Sequence, residues 1–324
     1  MRVHFFVGAL LLGSSFAPAF GASVDQIVAF GDSLSDTGNL SIATLEQFPG
    51  DNYAPGRFTN GPNTTPATSG PFGLWVEQLA GKLNVPDPQP SLAGGTDYAF
   101  ATARTGSNGL YNITDQVNTY LFANPSGASS TALYTIWGGS NDLFNGSSTG
   151  KAAADALYGN IQTLAAAGAK NFLWLDIIPL GNTPLGSGDA ALNAQVAGFN
   201  AEWSTDIGLL QAQGISVTGV DVFNLASAIS ANPSAYGFTN ITTPAQGLAG
   251  VNPNNYLFWD MEHPTTAGHA LIANLAYDDL VGTPTAAPEP ASAAAVALGI
   301  LSLAAAARIR KRRSSAGLPR SEQS

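Results

Sequence analysis

The sequence predicts an α/β protein with a central parallel sheet and helices on both of its faces. Two observations predict it. Short apolar runs bounded by turn residues alternate along the chain with longer stretches whose apolar residues recur every three or four positions. Ser33 and Asn141, both polar, fall just after two of those runs, and ligands in such sheets bind beyond the carboxyl ends of the strands.

Strands are expected at 26–30, 96–101, 133–137, 171–176 and 215–220. Helices are expected between them. The stretch 73–83 places Val76, Leu79 and Leu83 at helical spacing, and 116–122 does so with Val117, Tyr120 and Leu121. Ala154, Leu157, Ile161 and Leu164 mark 152–167, and Leu192, Val196, Phe199 and Trp203 mark 190–213. Ile272, Ala276 and Leu280 mark 265–280, whose start is signalled by Pro264 and Thr265. The Gly-, Asn-, Thr- and Pro-rich stretch 50–70 reads as a long loop bordering a site.

At 324 residues and 45% hydrophobic content, the chain can bury one large core once its two ends are set aside. Between residues 23 and 285 it carries five bases (Arg57, Lys82, Arg104, Lys151 and Lys170) against twenty acids, a net charge near −15. Such a domain repels nucleic acid and anionic membrane surfaces. Cysteine is absent, which excludes disulfides and thiolate metal sites and suits an oxidising compartment. No metal site and no cofactor is expected, because the two histidines outside the N-terminal segment are accompanied only by scattered carboxylates.

The two ends read as addresses. Residues 1–21 run from Arg2 through the apolar stretch 5–12 to small residues at Ala17, Ala19 and Gly21, the layout of a removable secretory signal. The domain proper is expected at 22–283. A linker at 284–290 ends in Pro288-Glu289-Pro290, and seventeen small or apolar residues at 291–307 precede five bases between Arg308 and Arg313. Residues 291–313 therefore read as a C-terminal transmembrane helix with a cytoplasmic basic cluster, followed by a tail at 314–324. A 17-residue helix reaches only about 25 Å, near the lower limit for a bilayer, which favours a transient span over a permanent anchor. The order Pro-Glu-Pro, apolar helix, arginine cluster resembles the PEP-CTERM sorting signal of Gram-negative bacteria. The resemblance implies an exosortase-type processing enzyme as a partner, passage through the inner membrane, and release to the cell surface or extracellular matrix. A simple C-terminal anchor is the alternative.

The chemistry-bearing residues fall in three ordered blocks. Gly31-Asp32-Ser33-Leu34 follows the first strand and is expected to lead into a helix whose N-terminus would favour negative charge at Ser33, Gly139-Ser140-Asn141-Asp142 follows the third, and Asp260-Met261-Glu262-His263 precedes the last helix. If Ser33 is a nucleophile needing an imidazole base, His263 and His269 are the candidates, and only His263 has a carboxylate, Asp260, at a spacing suited to orient it. His269, at helical spacing in an apolar helix, reads as a packed or surface residue.

These blocks resemble those of the GDSL, or SGNH, hydrolase family over residues 24–282. The resemblance implies a flavodoxin-like three-layer α/β/α sandwich and a serine esterase or lipase. It assigns the nucleophile to Ser33, the base to His263 and its orienting acid to Asp260. The oxyanion would be held by the Ser33 N–H, the Asn141 side chain and the backbone N–H of the residue in the second block. That block departs from the family pattern: it reads Asp97-Tyr98-Ala99-Phe100-Ala101-Thr102-Ala103, with Thr102 where a glycine is usual. The N–H survives, but a β-branched residue is uneasy if φ is positive there; Gly106 is a donor only if the loop shifts register. Asp142 reads as a loop organiser. Gly146-Ser147-Ser148-Thr149-Gly150 fits a G-x-S-x-G pattern without the preceding strand that a nucleophile elbow needs. The substrate stays open among lipid, acetylated sugar and small ester, as does hydrolysis against acyl transfer or thioester cleavage. A surface or biofilm-matrix binding protein with a weakened site is the reading from another class.

Overall fold

The computed structural model describes residues 24–68, 72–107, 109 and 111–282. The signal segment, linker, span, basic cluster and tail expected at 1–21 and 284–324 lie outside the described residues. The chain divides after Thr283, and every described residue belongs to the first unit.

Four strands form one sheet: β1 (Ile27–Gly31), β2 (Leu133–Trp137), β3 (Asn171–Leu175) and β4 (Ser216–Val220). They pair in the order β1-β2-β3-β4, all parallel, with Phe30 opposite Ile136, Ile136 opposite Trp174 and Trp174 opposite Gly219. Among the described residues eight α-helices accompany them: α1 (Asn39–Ala43), α2 (Trp75–Leu83), α3 (Ile113–Ala123), α4 (Ser140–Phe144), α5 (Gly150–Ala166), α6 (Ala190–Ala212), α7 (Val222–Ala231) and α8 (Thr266–Val281).

Because successive strand side chains point to opposite faces, the sheet builds two cores. Val28, Phe30, Tyr134, Ile136, Phe172 and Trp174 pack against α3, α5 and α6 through residues such as Val117, Leu157 and Phe199. Ile27, Ala29, Leu133, Trp137, Leu173 and Leu175 pack against α2 and α8 through Trp75, Leu79, Ile272 and Ala276. β1 and β2 are buried along their whole length, as expected for parallel strands covered on both faces. The expected three-layer α/β/α sandwich is the observed architecture.

One expected strand does not form. Residues 96–101 run beside the free edge of β1, exchanging Ala29 N–H to Thr96 O, Tyr98 N–H to Ala29 O and Phe100 N–H to Gly31 O, but they make only an isolated bridge with it. Their outer edge is occupied by a side chain: the Asn39 amide donates to both Asp97 O and Ala99 O, at 2.8 and 2.9 Å. The Asp97 carboxylate turns back onto Ala99 N–H and onto Thr37. Local side-chain bonds of this kind compete with a ladder. α1, α4 and α7 were not expected; the first two are five residues long, too short for a periodicity to register.

Candidate active site

Ser33 sits two residues past the end of β1, after Asp32. The turn that presents it is closed by the N–H groups of Ser35 and Asp36, both donating to Asp32 O at 3.0 Å. The helix expected immediately after Ser33 is absent, since α1 begins only at Asn39. Ser33 is therefore held by a tight turn, without a helix N-terminus to favour negative charge beside it. Leu34 N–H donates to Asp32 Oδ1 and Ser35 and Asp36 are bonded as above; Ser33 N–H has no acceptor among the described residues.

The 260–263 segment reaches Ser33 from the far end of the chain. Asp260 Oδ1 accepts the backbone N–H of Glu262 and of His263, at 2.9 and 2.7 Å, which folds the four residues into a compact turn. His263 Nδ1 lies 2.7 Å from Asp260 Oδ2, and its Nε2 lies 2.8 Å from Ser33 Oγ. In the neutral tautomer that this pairing selects, Nδ1–H donates to the carboxylate and Nε2 accepts the Ser33 hydroxyl proton. Trp259 N–H donates to His263 O, and Thr265 caps α8 by accepting Gly268 N–H, so both flanks are fixed.

The electrostatics follow from burial and pairing. Burial alone lowers the basicity of the His263 ring, but the hydrogen bond and charge of Asp260, with Glu262 and Asp32 adding to them, leave its pKa above 6.5. Burial raises Asp260, and its bond to His263 and the two backbone donors outweigh this to hold it below 3.8. Asp32, next to the serine, is pushed up to about 7 by burial, against the opposing pull of Leu34 N–H and of His263.

Asn141 lies in the first turn of α4, whose N-cap is Gly139 at φ 112°. A side chain at Gly139 would strike Phe199 and Ile177, and the positive φ adds a second reason for glycine there. The Asn141 amide donates to Ala103 O at 3.0 Å, leaving its second hydrogen without an acceptor among the described residues. Its neighbour Asp142 accepts Thr105 N–H and Oγ1–H at 2.9 and 3.1 Å. Four of the five N–H groups from Ala101 to Thr105 have acceptors: Asp36 Oδ2, Phe100 O, Asn112 Oδ1 and Asp142 Oδ2. Thr102 N–H is the exception among the described residues. Thr102 is also at φ 69° with its side chain exposed, a conformation that disfavours a β-branched residue. The ties at Ala101 and Thr105 fix the register, and Gly106 lies beyond them.

Several contributors were not read from the sequence. Tyr53 Oη donates to Asp260 Oδ2 at 2.7 Å, and the Phe58 ring lies 4.9 Å from the His263 ring. Both come from the described part, 50–68, of the loop expected at 50–70 to border the site. Arg57 anchors that loop to Glu77 of α2 through Nε and Nη2, and Thr59 Oγ1 donates to Pro264 O. Asp36 shapes the site by holding Gly38, Asn39, Leu40 and Ala101. These residues carry no local pattern; only the fold joins residue 53 to 260 and 36 to 101.

His269 is fully buried in α8, accepts Trp75 N–H at Nδ1, and is driven down to about 3 by burial. It is a neutral packed residue. Ser148 follows α4 in an exposed turn that leads to α5, with no strand before it.

Comparison with known proteins adds one family match and three relatives. A family model described as GDSL-like lipase/acylhydrolase matches residues 27–276. The chain is 27% identical to a thermolabile hemolysin of Vibrio parahaemolyticus over 77% of its own length and 62% of that protein's. It is 28% identical to a GDSL esterase/lipase of Arabidopsis thaliana over 83% of itself and 92% of the relative, and 30% identical to the esterase EstA of Pseudomonas aeruginosa over 84% of itself and 49% of the relative. The chain thus spans about half to two thirds of the two bacterial relatives.

Proposed function

Because the chain belongs to the GDSL-like lipase/acylhydrolase family, we propose that it is a serine hydrolase of carboxylic esters that works through an acyl-enzyme on Ser33. One observation carries this: His263 spans Ser33 Oγ and Asp260 Oδ2 with bonds of 2.8 and 2.7 Å. In this reading Nε2 takes the Ser33 proton as Oγ attacks the acyl carbon, and Asp260 stabilises the imidazolium that forms. The proton then passes to the leaving alcohol, and water attacks the acyl-enzyme by the same route in reverse. The oxyanion is received by the unpartnered N–H groups of Ser33 and Thr102 and by the free amide hydrogen of Asn141. Donors aimed at developing charge are worth roughly 3 kcal/mol each.

A weakened, binding-only site was motivated by Thr102. Its N–H is left without a competing acceptor, so the donor is not lost with the glycine, and catalysis is the better-supported reading. For the substrate, the export and matrix-sorting features of the sequence favour an acylated extracellular glycan over an intracellular ester. We propose in the same way that residues 1–21 direct export and that Pro288-Glu289-Pro290 marks processing by an exosortase-type enzyme at the inner membrane.

The test is hydrolysis of p-nitrophenyl esters of increasing chain length by the purified protein and its Ser33→Ala variant. Activity that falls about a thousandfold or more in the variant supports the reading, and a preference for acetyl esters favours the glycan substrate. Equal turnover by the two proteins sinks it.

A further inference from the structure

Asp155 of α5 and Glu202 and Asp206 of α6 each offer a carboxylate oxygen, and the three oxygens lie within 4.8 Å of one another. In the sequence these acids are scattered over some fifty residues; the packing of α5 against α6 gathers them, with Glu202 and Asp206 one helical turn apart on the same face. Lys151 answers part of the charge, its Nζ bonding Asp155 at 3.0 Å and also Glu202. Asp206 is left out. It is 3% exposed, its Oδ2 is fully enclosed, and neither of its oxygens accepts a hydrogen bond from a described residue. A buried carboxylate without a partner is costly, and native structures normally satisfy such groups. The unsatisfied oxygens therefore point to a ligand, and the donor set, all carboxylate oxygen with open water access through the exposed Asp155, is that of a hard cation.

We propose that Asp155, Glu202 and Asp206 form a calcium site that clamps α5 to α6. Calcium is favoured over magnesium by coordination: Ca²⁺ accepts flexible, irregular shells of six to eight oxygens, whereas Mg²⁺ demands near-ideal octahedral geometry, gives up its waters reluctantly and is seldom held by carboxylates of the protein alone. Waters complete the shell on the exposed side. The Lys151 ammonium, 60% exposed on a flexible stem, swings out as the ion enters, so one divalent charge replaces it and reaches Asp206 as well. With three carboxylates and a partly open site, affinity falls in the range of about 0.1–1 mM, typical of extracellular calcium modules.

The test is calorimetric titration of the purified protein with CaCl2 at pH 7.5, together with thermal unfolding in 10 mM CaCl2 and in MgCl2 at matched ionic strength. One calcium per chain and a rise in Tm of about 3–10 °C, absent with magnesium, are the expected results. Both should disappear in Asp206→Asn and in Glu202→Gln. Asp206→Asn removes an unpaired buried charge, so it should fold at least as well as the parent without calcium. Absence of binding heat, an equal response to magnesium, or a calcium response that survives in either variant overturns the site. None of these readouts depends on hydrolysis, so the outcome is separate from that of the Ser33 test.

Discussion

Tyr53 Oη and Asp260 Oδ2 are 2.7 Å apart, and the oxygen that accepts the phenol is the one that holds His263 Nδ1. A tyrosine from a loop 207 residues upstream thus shares the carboxylate that orients the imidazole. The tyrosine cannot ionise at working pH, since burial and Asp260 drive its pKa upward beyond the usual range. It acts as a fixed donor, withdrawing charge from Asp260 and holding it in plane.

Tyr53→Phe should therefore leave Asp260 a stronger acceptor and His263 more basic. The acid limb of kcat/KM, which in the parent lies above pH 6.5 because His263 is raised, should move up by about half a unit, equivalent to about 0.7 kcal/mol. A pH–rate profile from 5 to 9 reads this directly. An unmoved limb with a uniformly lower rate would reduce Tyr53 to a packing residue.

Asp32 should shape the stability curve. Its folded pKa of about 7 stands above the ordinary aspartate value of 3.8, so between those values the folded state binds more protons, and stability falls as pH rises through that window. Asp32→Asn should remove that slope, leaving stability unchanged below pH 4 and raising it at pH 8 by up to about 4 kcal/mol. The same change takes a negative charge from His263, so the acid limb should move down, opposite to Tyr53→Phe. Urea denaturation at pH 4 and 8 tests the first part; a fall in stability at pH 8 would contradict it.

Thr102→Gly should keep the proposed oxyanion donor, because that donor is a backbone N–H. Relief of the φ 69° conformation is offset by the greater freedom of glycine in the unfolded chain, so stability should change by no more than about 1 kcal/mol. Activity at or above that of the parent is expected. Asn141→Ala, which removes a side-chain donor, should instead lower kcat by about a hundredfold or more. Steady-state kinetics of both variants separates the roles; a large loss in Thr102→Gly would mean that the threonine side chain itself takes part.

How much of this was legible follows from the range of each interaction. The five expected helices announced themselves because burial of one side imposes a period on the sequence, and the four sheet strands because burial of both faces leaves short continuous apolar runs. The strand expected at 96–101 did not form, because Asp97 and Asn39 satisfy that backbone with side chains, and no period reports such a contact. The helix expected after Ser33 gave way to a turn closed on Asp32 O.

By itself the sequence determined the alternation that makes a parallel sheet and the scarcity of histidine that narrowed the candidate base to His263. It also gave the three-residue spacing that pairs His263 with Asp260. These are properties of composition and of neighbours along the chain, where local geometry is dictated by the backbone. The tertiary structure decided what depends on approach between distant segments: the 2.8 Å reach of His263 to Ser33, the hold of Tyr53 on Asp260, and the N–H groups of Ser33 and Thr102, which have no acceptor among the described residues. It likewise decided the gathering of Asp155, Glu202 and Asp206. A hydrogen bond is fixed to within a few tenths of an ångström, and only the packed core carries residues hundreds of positions apart to that precision.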